Sequence, residues 1–76
     1  IPQNNVLIYP NPTKDNISIS IENFSGNIKS EVFDLLGNKL QTANESTISL
    51  KNYNSGIYII KVFYQDQIKK IKVIKE

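Results

Sequence analysis

The 76-residue chain contains no cysteine, no histidine and no arginine, and these absences limit its chemistry. Without cysteine it has neither a disulfide nor a thiolate metal site. Without histidine it lacks the commonest general base and the commonest nitrogen ligand of metals. Positive charge comes from nine lysines, and the net charge of +2 is too small to indicate nucleic-acid binding, for which arginine is preferred. No stretch approaches the ~20 consecutive apolar residues of a membrane span.

The seven acidic residues are scattered along the chain. A general acid–base pair needs two carboxylates held close together, and ionised carboxylates otherwise stay solvated. Asp15 beside Asn11 and Asn16 is the best calcium candidate, but one carboxylate is too few for a tight site. We therefore predict no catalytic residue, no metal, no cofactor and no enzymatic activity.

Apolar residues recur with a period of two, which is typical of β-strands. Residues 17–21 alternate strictly between isoleucine and serine. The longest apolar run, residues 57–64, is rich in β-branched and aromatic side chains and favours a central strand. Strands recur about every 8–12 residues, as in a sandwich or barrel. The other predicted strands are residues 6–9, 29–34, 39–40, 48–50 and 68–74, and no helix is predicted.

Clusters of turn-forming residues separate these strands. Pro10 and Pro12 fix φ on either side of Asn11 and stiffen the turn after the first strand. The predicted turns are residues 10–16, 25–27, 37–38, 52–56 and 65–67.

Four residues mark the central hairpin and the entry to the longest strand. Gly37 and the residue after it suit a two-residue hairpin loop with positive φ. Asp34 is placed to accept backbone N–H bonds in that turn. Gly56 frees the backbone for the bend into the longest strand. Tyr58 resembles the corner tyrosine of fibronectin-like sandwiches, whose hydroxyl bonds to nearby backbone.

One face of each strand must form the core, where each buried side chain contributes roughly 1.5–3 kcal/mol. The predicted core consists of Leu7, Ile17, Ile19, Ile21, Val32, Leu40, Ile48, Leu50, Tyr58, Ile60, Val62, Ile71 and Val73. Phe33, Ile57, Ile59 and Phe63 then lie on outer faces. They form either a partner surface or scattered surface hydrophobes. The lysines near the end, from Lys69 to Lys75, are either a binding patch or the protection of an edge strand against aggregation.

The order of these landmarks is more informative than any one of them. They are Ile8-Tyr9-Pro10-Asn11-Pro12, Ile17-Ser18-Ile19, Val32-Phe33-Asp34-Leu35-Leu36-Gly37, Ile48-Ser49-Leu50, Ser55-Gly56-Ile57-Tyr58-Ile59-Ile60-Lys61-Val62 and Lys70-Ile71-Lys72-Val73-Ile74-Lys75. In this order they resemble the type A C-terminal sorting domain of the type IX (Por) secretion system of Bacteroidota. The resemblance covers residues 6–76.

The resemblance implies an immunoglobulin-like antiparallel β-sandwich of about seven short strands at the end of a cargo protein. Residues 1–5 would be a linker from the parent protein, and residues 6–76 the sorting domain. The parent would pass through the periplasm, and the outer-membrane translocon would recognise the domain. A sortase-like peptidase would then remove it, leaving the cargo on the cell surface, joined to anionic lipopolysaccharide, or in the medium.

The resemblance gives one group of motif residues a role in the fold: Pro10, Asn11, Pro12, Asp34, Gly37, Gly56 and Tyr58. We predict that the translocon instead reads the last strand, by β-augmentation and acidic contacts. Its residues are Lys70, Ile71, Lys72, Val73, Ile74 and Lys75. A carbohydrate-binding or adhesion sandwich is the alternative function, and it requires a row of exposed aromatic side chains. A third possibility is an inert spacer of the fibronectin type.

Overall fold

A computed structural model describes residues 5–24 and 26–76 and contains seven β-strands. The strands are β1 (Val6–Tyr9), β2 (Asn16–Ile21), β3 (Lys29–Phe33), β4 (Lys39–Ala43), β5 (Thr47–Ser49), β6 (Gly56–Tyr64) and β7 (Gln67–Lys75). The all-β prediction is confirmed. Within the described ranges, no helix is long and apolar enough to cross a membrane. Residues 1–4 of the predicted linker, and Ser25 of the predicted turn at 25–27, lie outside the described residues.

The strands form two sheets, one in the order β1-β2-β5 and one in the order β4-β3-β6-β7. All neighbouring strands in these sheets pair antiparallel. The two sheets form an immunoglobulin-like sandwich, as the resemblance implied. The long strand β6 lies between β3 and β7, so the prediction of a central strand is confirmed, and β7 lies at an edge.

The core lies between the two sheets, where alternate side chains of each strand meet. In β2 and β6 the pattern is regular, because every second side chain points inward. The buried apolar residues include ten of the predicted ones: Ile17, Ile19, Ile21, Val32, Ile48, Leu50, Tyr58, Ile60, Val62 and Val73. Ile71 is partly buried against them.

Two core predictions are wrong, and each fails through the register of a strand. Leu7 is 58% exposed because its neighbours Val6 and Ile8 turn inward instead. Leu40 is 39% exposed. The pairing of β3 with β4 shifts between Val32 and Phe33, so that Gln41 faces Val32 and Leu40 turns outward. A single displaced residue therefore reverses the direction of a side chain.

The core also contains an aromatic residue that the sequence analysis left unassigned. Tyr64 is 1% exposed at the end of β6. Its ring packs against Phe24 with 5.5 Å between the ring centroids. Its hydroxyl donates to Gln67 Oε1 at 3.3 Å, so the polar end has a partner within the β6–β7 hairpin.

The loop between β3 and β4 is longer than the predicted two residues. β3 ends at Phe33 and β4 begins at Lys39. The Asp34 N–H donates to the Asn38 carbonyl at 3.1 Å, and the Gly37 N–H donates to the Asp34 carbonyl at 3.2 Å. Gly37 has a φ of +92°, whereas Asn38 has an ordinary negative φ. The loop is thus a turn with one left-handed residue before the second strand begins.

Candidate recognition site on the last strand

The six residues of β7 that the sequence analysis assigned to recognition divide between the two faces of the sheet. Lys70, Lys72 and Ile74 lie on the outer face, opposite Lys61, Ile59 and Ile57 of β6. Ile71, Val73 and Lys75 lie on the inner face. Val73 is fully buried and Lys75 is 8% exposed, with its Nζ 3.4 Å from the Glu76 main-chain oxygen. Only the outer-face residues therefore present their side chains to a partner.

The outer edge of β7 consists of one closed stretch and one open stretch. In the closed stretch, the main-chain groups of Lys72, Ile74 and Glu76 are bonded to residues 11 and 13. Main-chain groups in a strand alternate between its two sides, so Ile68 and Lys70 direct their N–H and C=O toward the same edge. Among the described residues no strand pairs with them there. This open stretch can accept a further strand.

Residues 11–13, which we call the edge clamp, close the other stretch. Asn11 Nδ2 donates to the Lys72 carbonyl at 3.0 Å, and the Ile74 N–H donates to Asn11 Oδ1 at 3.0 Å. The Thr13 N–H donates to the Ile74 carbonyl at 2.9 Å, and the Glu76 N–H to the Thr13 carbonyl at 2.7 Å. The amide of Asn11 thus bonds β7 as a neighbouring peptide group would. Pro10 and Pro12 flank it, exposed in the turn after β1.

Thr13 is held in place from the other side by the start of β2. Its Oγ1 donates to the Asn16 carbonyl at 2.7 Å and accepts from the Asp15 N–H at 3.2 Å. Its residue exposure is only 2%. Because Asn16 belongs to the three-stranded sheet and β7 to the four-stranded one, the edge clamp ties the two sheets together.

Asp34 organises the turn between β3 and β4. Its Oδ1 accepts the N–H groups of Asn38 and Leu36, both at 2.9 Å, and its Oδ2 accepts Asn38 Nδ2 at 3.1 Å. These bonds, led by those from Asn38, hold the pKa of the Asp34 carboxyl below its usual value. The carboxylate is committed to the turn and is not a free acid.

Gly56 and Tyr58 lie at the entry to β6. Gly56 has a φ of +158°, and a Cβ added there would meet no atom within 4 Å, so only the backbone conformation requires glycine. The Tyr58 hydroxyl donates to the Asn54 carbonyl at 2.7 Å. Its ring stacks on Tyr53 at 5.3 Å between centroids. Burial, together with Tyr58, raises the pKa of Tyr53.

Among the described residues, the aromatic side chains do not form the exposed row that a carbohydrate-binding surface requires. Phe33 and Phe63, on the outer face of the four-stranded sheet, are half-buried, and each has a lysine ammonium over its ring. Tyr58 and Tyr64 are buried, and Tyr53 is partly buried. Tyr9 is 53% exposed but stands apart in β1. Among the described residues, no group of three or more acidic side chains could hold a metal ion.

The edge clamp was not predicted from the sequence. Threonine followed by Asp15 and Asn16 is a local signal for a side-chain-to-backbone turn, and that signal could have located the bonds of Thr13. Nothing local could have identified Lys72 and Ile74 as the partners of Asn11, because they lie 61 and 63 positions further along the chain.

The fold and the site define a small immunoglobulin-like module with an organised, lysine-bearing edge strand. The chain belongs to the family of secretion system C-terminal sorting domains, whose model matches residues 7–76. It is a sorting signal for type IX secretion, non-catalytic in itself, and it marks cargo for the cell surface or the medium.

Most of this chain is similar to one part of a longer curated protein. It is the ulvan lyase NLR42 of Nonlabens ulvanivorans, 44% identical over 66 residues. The match covers 80% of this chain and 12% of the lyase. The chain thus spans only a small fraction of the length of the relative it matches.

Proposed function

We propose that residues 6–76 form a type A sorting domain of a Bacteroidota protein, with residues 1–5 linking it to cargo on the N-terminal side. The outer-membrane translocon binds β7, and a sortase-like peptidase then separates the domain from the cargo. The order of the motifs from Pro10 to Lys75 supports the subtype, and membership of the sorting family supports the machinery.

The open stretch of the β7 edge is the observation that carries this proposal. Its main-chain groups at Ile68 and Lys70, which pair with no strand among the described residues, offer hydrogen bonds to an added strand. The exposed side chains of Lys70, Lys72 and Ile74 offer charge and apolar contact beside it. Ile71, Val73 and Lys75 contribute by packing the strand against the core.

A fusion protein tests the sorting function. These 76 residues are placed behind a signal peptide and a fluorescent protein in a bacterium with a type IX system. We expect fluorescence at the cell surface or in the medium. Retention in the periplasm, where the same fusion without the 76 residues remains, would contradict the proposal.

Variants at Ile68 test recognition of the edge. Ile68→Pro removes an N–H that faces the open edge, whereas Ile68→Val keeps that N–H and shortens the side chain. We expect the proline variant to stay in the periplasm and the valine variant to be exported. Circular dichroism of the purified domain establishes that both variants are folded. Equal export of two folded variants would show that the edge main chain is not read.

Exchange of Lys70 and Lys72 for glutamine tests the contribution of charge. Both side chains lie on the outer face of β7, so their exchange leaves the core intact. We expect export of the double variant to fall and to depend less on ionic strength than export of the wild type, because the charges that salt screens have been removed. Unchanged export would show that Lys70 and Lys72 do not contribute to recognition.

A further inference from the structure

The outer face of the four-stranded sheet carries a strong excess of positive charge. Its lysines are Lys29, Lys39, Lys61, Lys70 and Lys72, and its strand residues include one acid, Glu31. Glu31 is already paired with Lys29 at 3.8 Å and with Lys39 at 3.5 Å. Lys61, Lys70 and Lys72 have no carboxylate within salt-bridge distance among the described residues.

Lys61 and Lys70 lie directly opposite one another in the β6–β7 ladder. Because the main-chain groups of Lys70 point to the outer edge, the two form a non-hydrogen-bonded pair, in which facing side chains come closest. Like charges in such a pair repel and oppose folding. Lys61 turns toward Phe33 instead, with its Nζ 4.8 Å from the ring centroid. The fold thus places two lysines side by side across the ladder, and among the described residues neither forms a salt bridge.

A groove of about 310 Å³ adjoins this pair. Its lining includes the apolar side chains of Phe33, Leu35 and Ile59, together with Lys61 and Lys70. Asp34 also borders the groove, but its two oxygens accept three bonds from Leu36 and Asn38. The groove therefore combines an apolar surface with two ammonium groups that form no salt bridge among the described residues, and its one carboxylate, Asp34, is bonded within its own turn.

We propose that this groove binds a protein segment in which an apolar side chain is flanked by carboxylates. The apolar side chain packs on Phe33, Leu35 and Ile59, and a carboxylate bridges Lys61 and Lys70. Pairing with the same face of a second copy is disfavoured, because that face carries the same excess charge. The inference deepens the proposed function, on which it rests, by naming the chemistry of a partner at the sheet face rather than at the strand edge.

A peptide titration on the 76-residue domain tests the inference. The probe is the capped peptide Gly-Glu-Phe-Asp-Gly, followed through the amide shifts of the ¹⁵N-labelled domain. We expect shifts at Phe33, Ile59 and Lys70. We also expect binding to be about fivefold weaker for the isosteric Gly-Gln-Phe-Asn-Gly and for Gly-Glu-Gly-Asp-Gly, which lacks the ring. Absence of binding by the first peptide, or equal binding by all three, would overturn the inference.

Matched charge variants separate the groove from net charge. Lys61→Gln with Lys70→Gln removes the facing pair, and Lys14→Gln with Lys51→Gln removes two exposed lysines outside this face. We expect about fivefold weaker binding of the acidic peptide for the first variant and little change for the second. An equal loss of peptide affinity in both variants would show that binding depends on net charge, and it would contradict the proposal that the groove binds the peptide.

A single substitution distinguishes a binding role from a structural one. Lys70→Glu converts the facing pair into opposite charges, so we expect its midpoint of thermal unfolding to rise while peptide binding falls. A rise in both the unfolding midpoint and peptide binding, or a fall in both, would contradict the inference.

Binding to vesicles of phosphatidylcholine with phosphatidylglycerol tests whether the face binds an anionic membrane instead of a peptide. Vesicle binding that depends on Lys61 and Lys70, without peptide binding, would assign the face to a membrane instead.

The peptide-binding experiment and the export experiment can fail independently of each other. If the fusion is exported but the domain does not bind the peptide, only the proposal of a binding groove is contradicted. A fusion that is retained while the domain binds the peptide contradicts the sorting proposal alone.

Discussion

The turn at Asp34 and the edge clamp at Asn11 use the same chemistry over very different spans of chain. In each, one planar side chain bonds main-chain groups that would otherwise face solvent. Asp34 reaches residues two and four positions ahead, whereas Asn11 reaches residues 61 and 63 positions ahead. The turn is complete within one hairpin, and the clamp exists only when both sheets have assembled.

This difference determines what each site stabilises. Closing a short loop costs little conformational entropy, so the Asp34 turn helps to align β3 with β4 and affects little else. The clamp fixes the end of β7 to the segment before β2, and it stops where the open stretch of the edge begins. Changes in the clamp should therefore affect the whole fold and the last strand, and changes in the turn should remain local.

The largest effect is expected at Thr13. Thr13→Val keeps the branched shape but removes a hydroxyl that donates to Asn16 and accepts from Asp15 in a buried position. We expect the free energy of unfolding to fall by about 2 kcal/mol, measured by urea denaturation, because two main-chain groups lose their partner. Thr42→Val, at an exposed position of β4, is the control and should change stability by less than about 0.5 kcal/mol. Equal effects at both positions would mean that the clamp does not support the fold.

A smaller loss is expected at Asn11, whose bonds are exposed to solvent. Asn11→Ala should lower the free energy of unfolding by about 1.5 kcal/mol and increase amide exchange at Ile74, because two hydrogen bonds to β7 are lost. Asn52→Ala, in an exposed turn, should leave both unchanged. An Ile74 amide that stays protected in Asn11→Ala would show that another group holds this edge.

The contrast between the two sites also explains what the sequence could predict. The alternation in residues 17–21 and the run at 57–64 located β2 and β6, because a period of two is a local property. Asp34 lies close enough to Gly37 for a turn to be inferred. Val73 was placed correctly in the core from the same alternation. Leu7 and Leu40 were placed wrongly, because the inward face of β1 and the shift in the pairing of β3 with β4 depend on the assembled sheets.

The proposed recognition site on β7 could be predicted only in part from the sequence. The lysine-spaced last strand was located from its residues, but the division of its edge was not. That division depends on Asn11 meeting Lys72 and Ile74, and on β7 lying outside β6 in the sheet. The groove beside Phe33 likewise needs the register that places Lys61 opposite Lys70. Pairings of this range are properties of the assembled sandwich.

A substitution at Gly37 tests whether a change in the Asp34 turn leaves the edge clamp unaffected. Gly37→Ala places a side chain where φ is +92° and no atom lies within 4 Å, so the loss arises from the backbone alone. We expect about 1 kcal/mol of destabilisation, with faster amide exchange in β3 and β4 but not at Ile74. Gly37→Asn should lower the free energy of unfolding less than Gly37→Ala does, since asparagine tolerates a positive φ better than alanine. Faster amide exchange at Ile74 in the alanine variant would show that the turn and the edge clamp are coupled.

The smallest effect is expected at Asp34 and is visible mainly through pH. The Asn38 and Leu36 donors lower the pKa of the folded carboxyl, so its charge stabilises the fold above the unfolded-state pKa of about 4. That stabilisation is lost as the pH falls through the folded-state pKa. Asp34→Asn should therefore lower stability more at pH 7 than at about pH 2. Asn38→Ala removes the donor to Oδ2 and keeps the main-chain donors, so its pH dependence should lie between those of the wild type and Asp34→Asn. A loss for Asp34→Asn that is the same at both pH values would mean that the charge contributes nothing and that the turn depends on its shape alone.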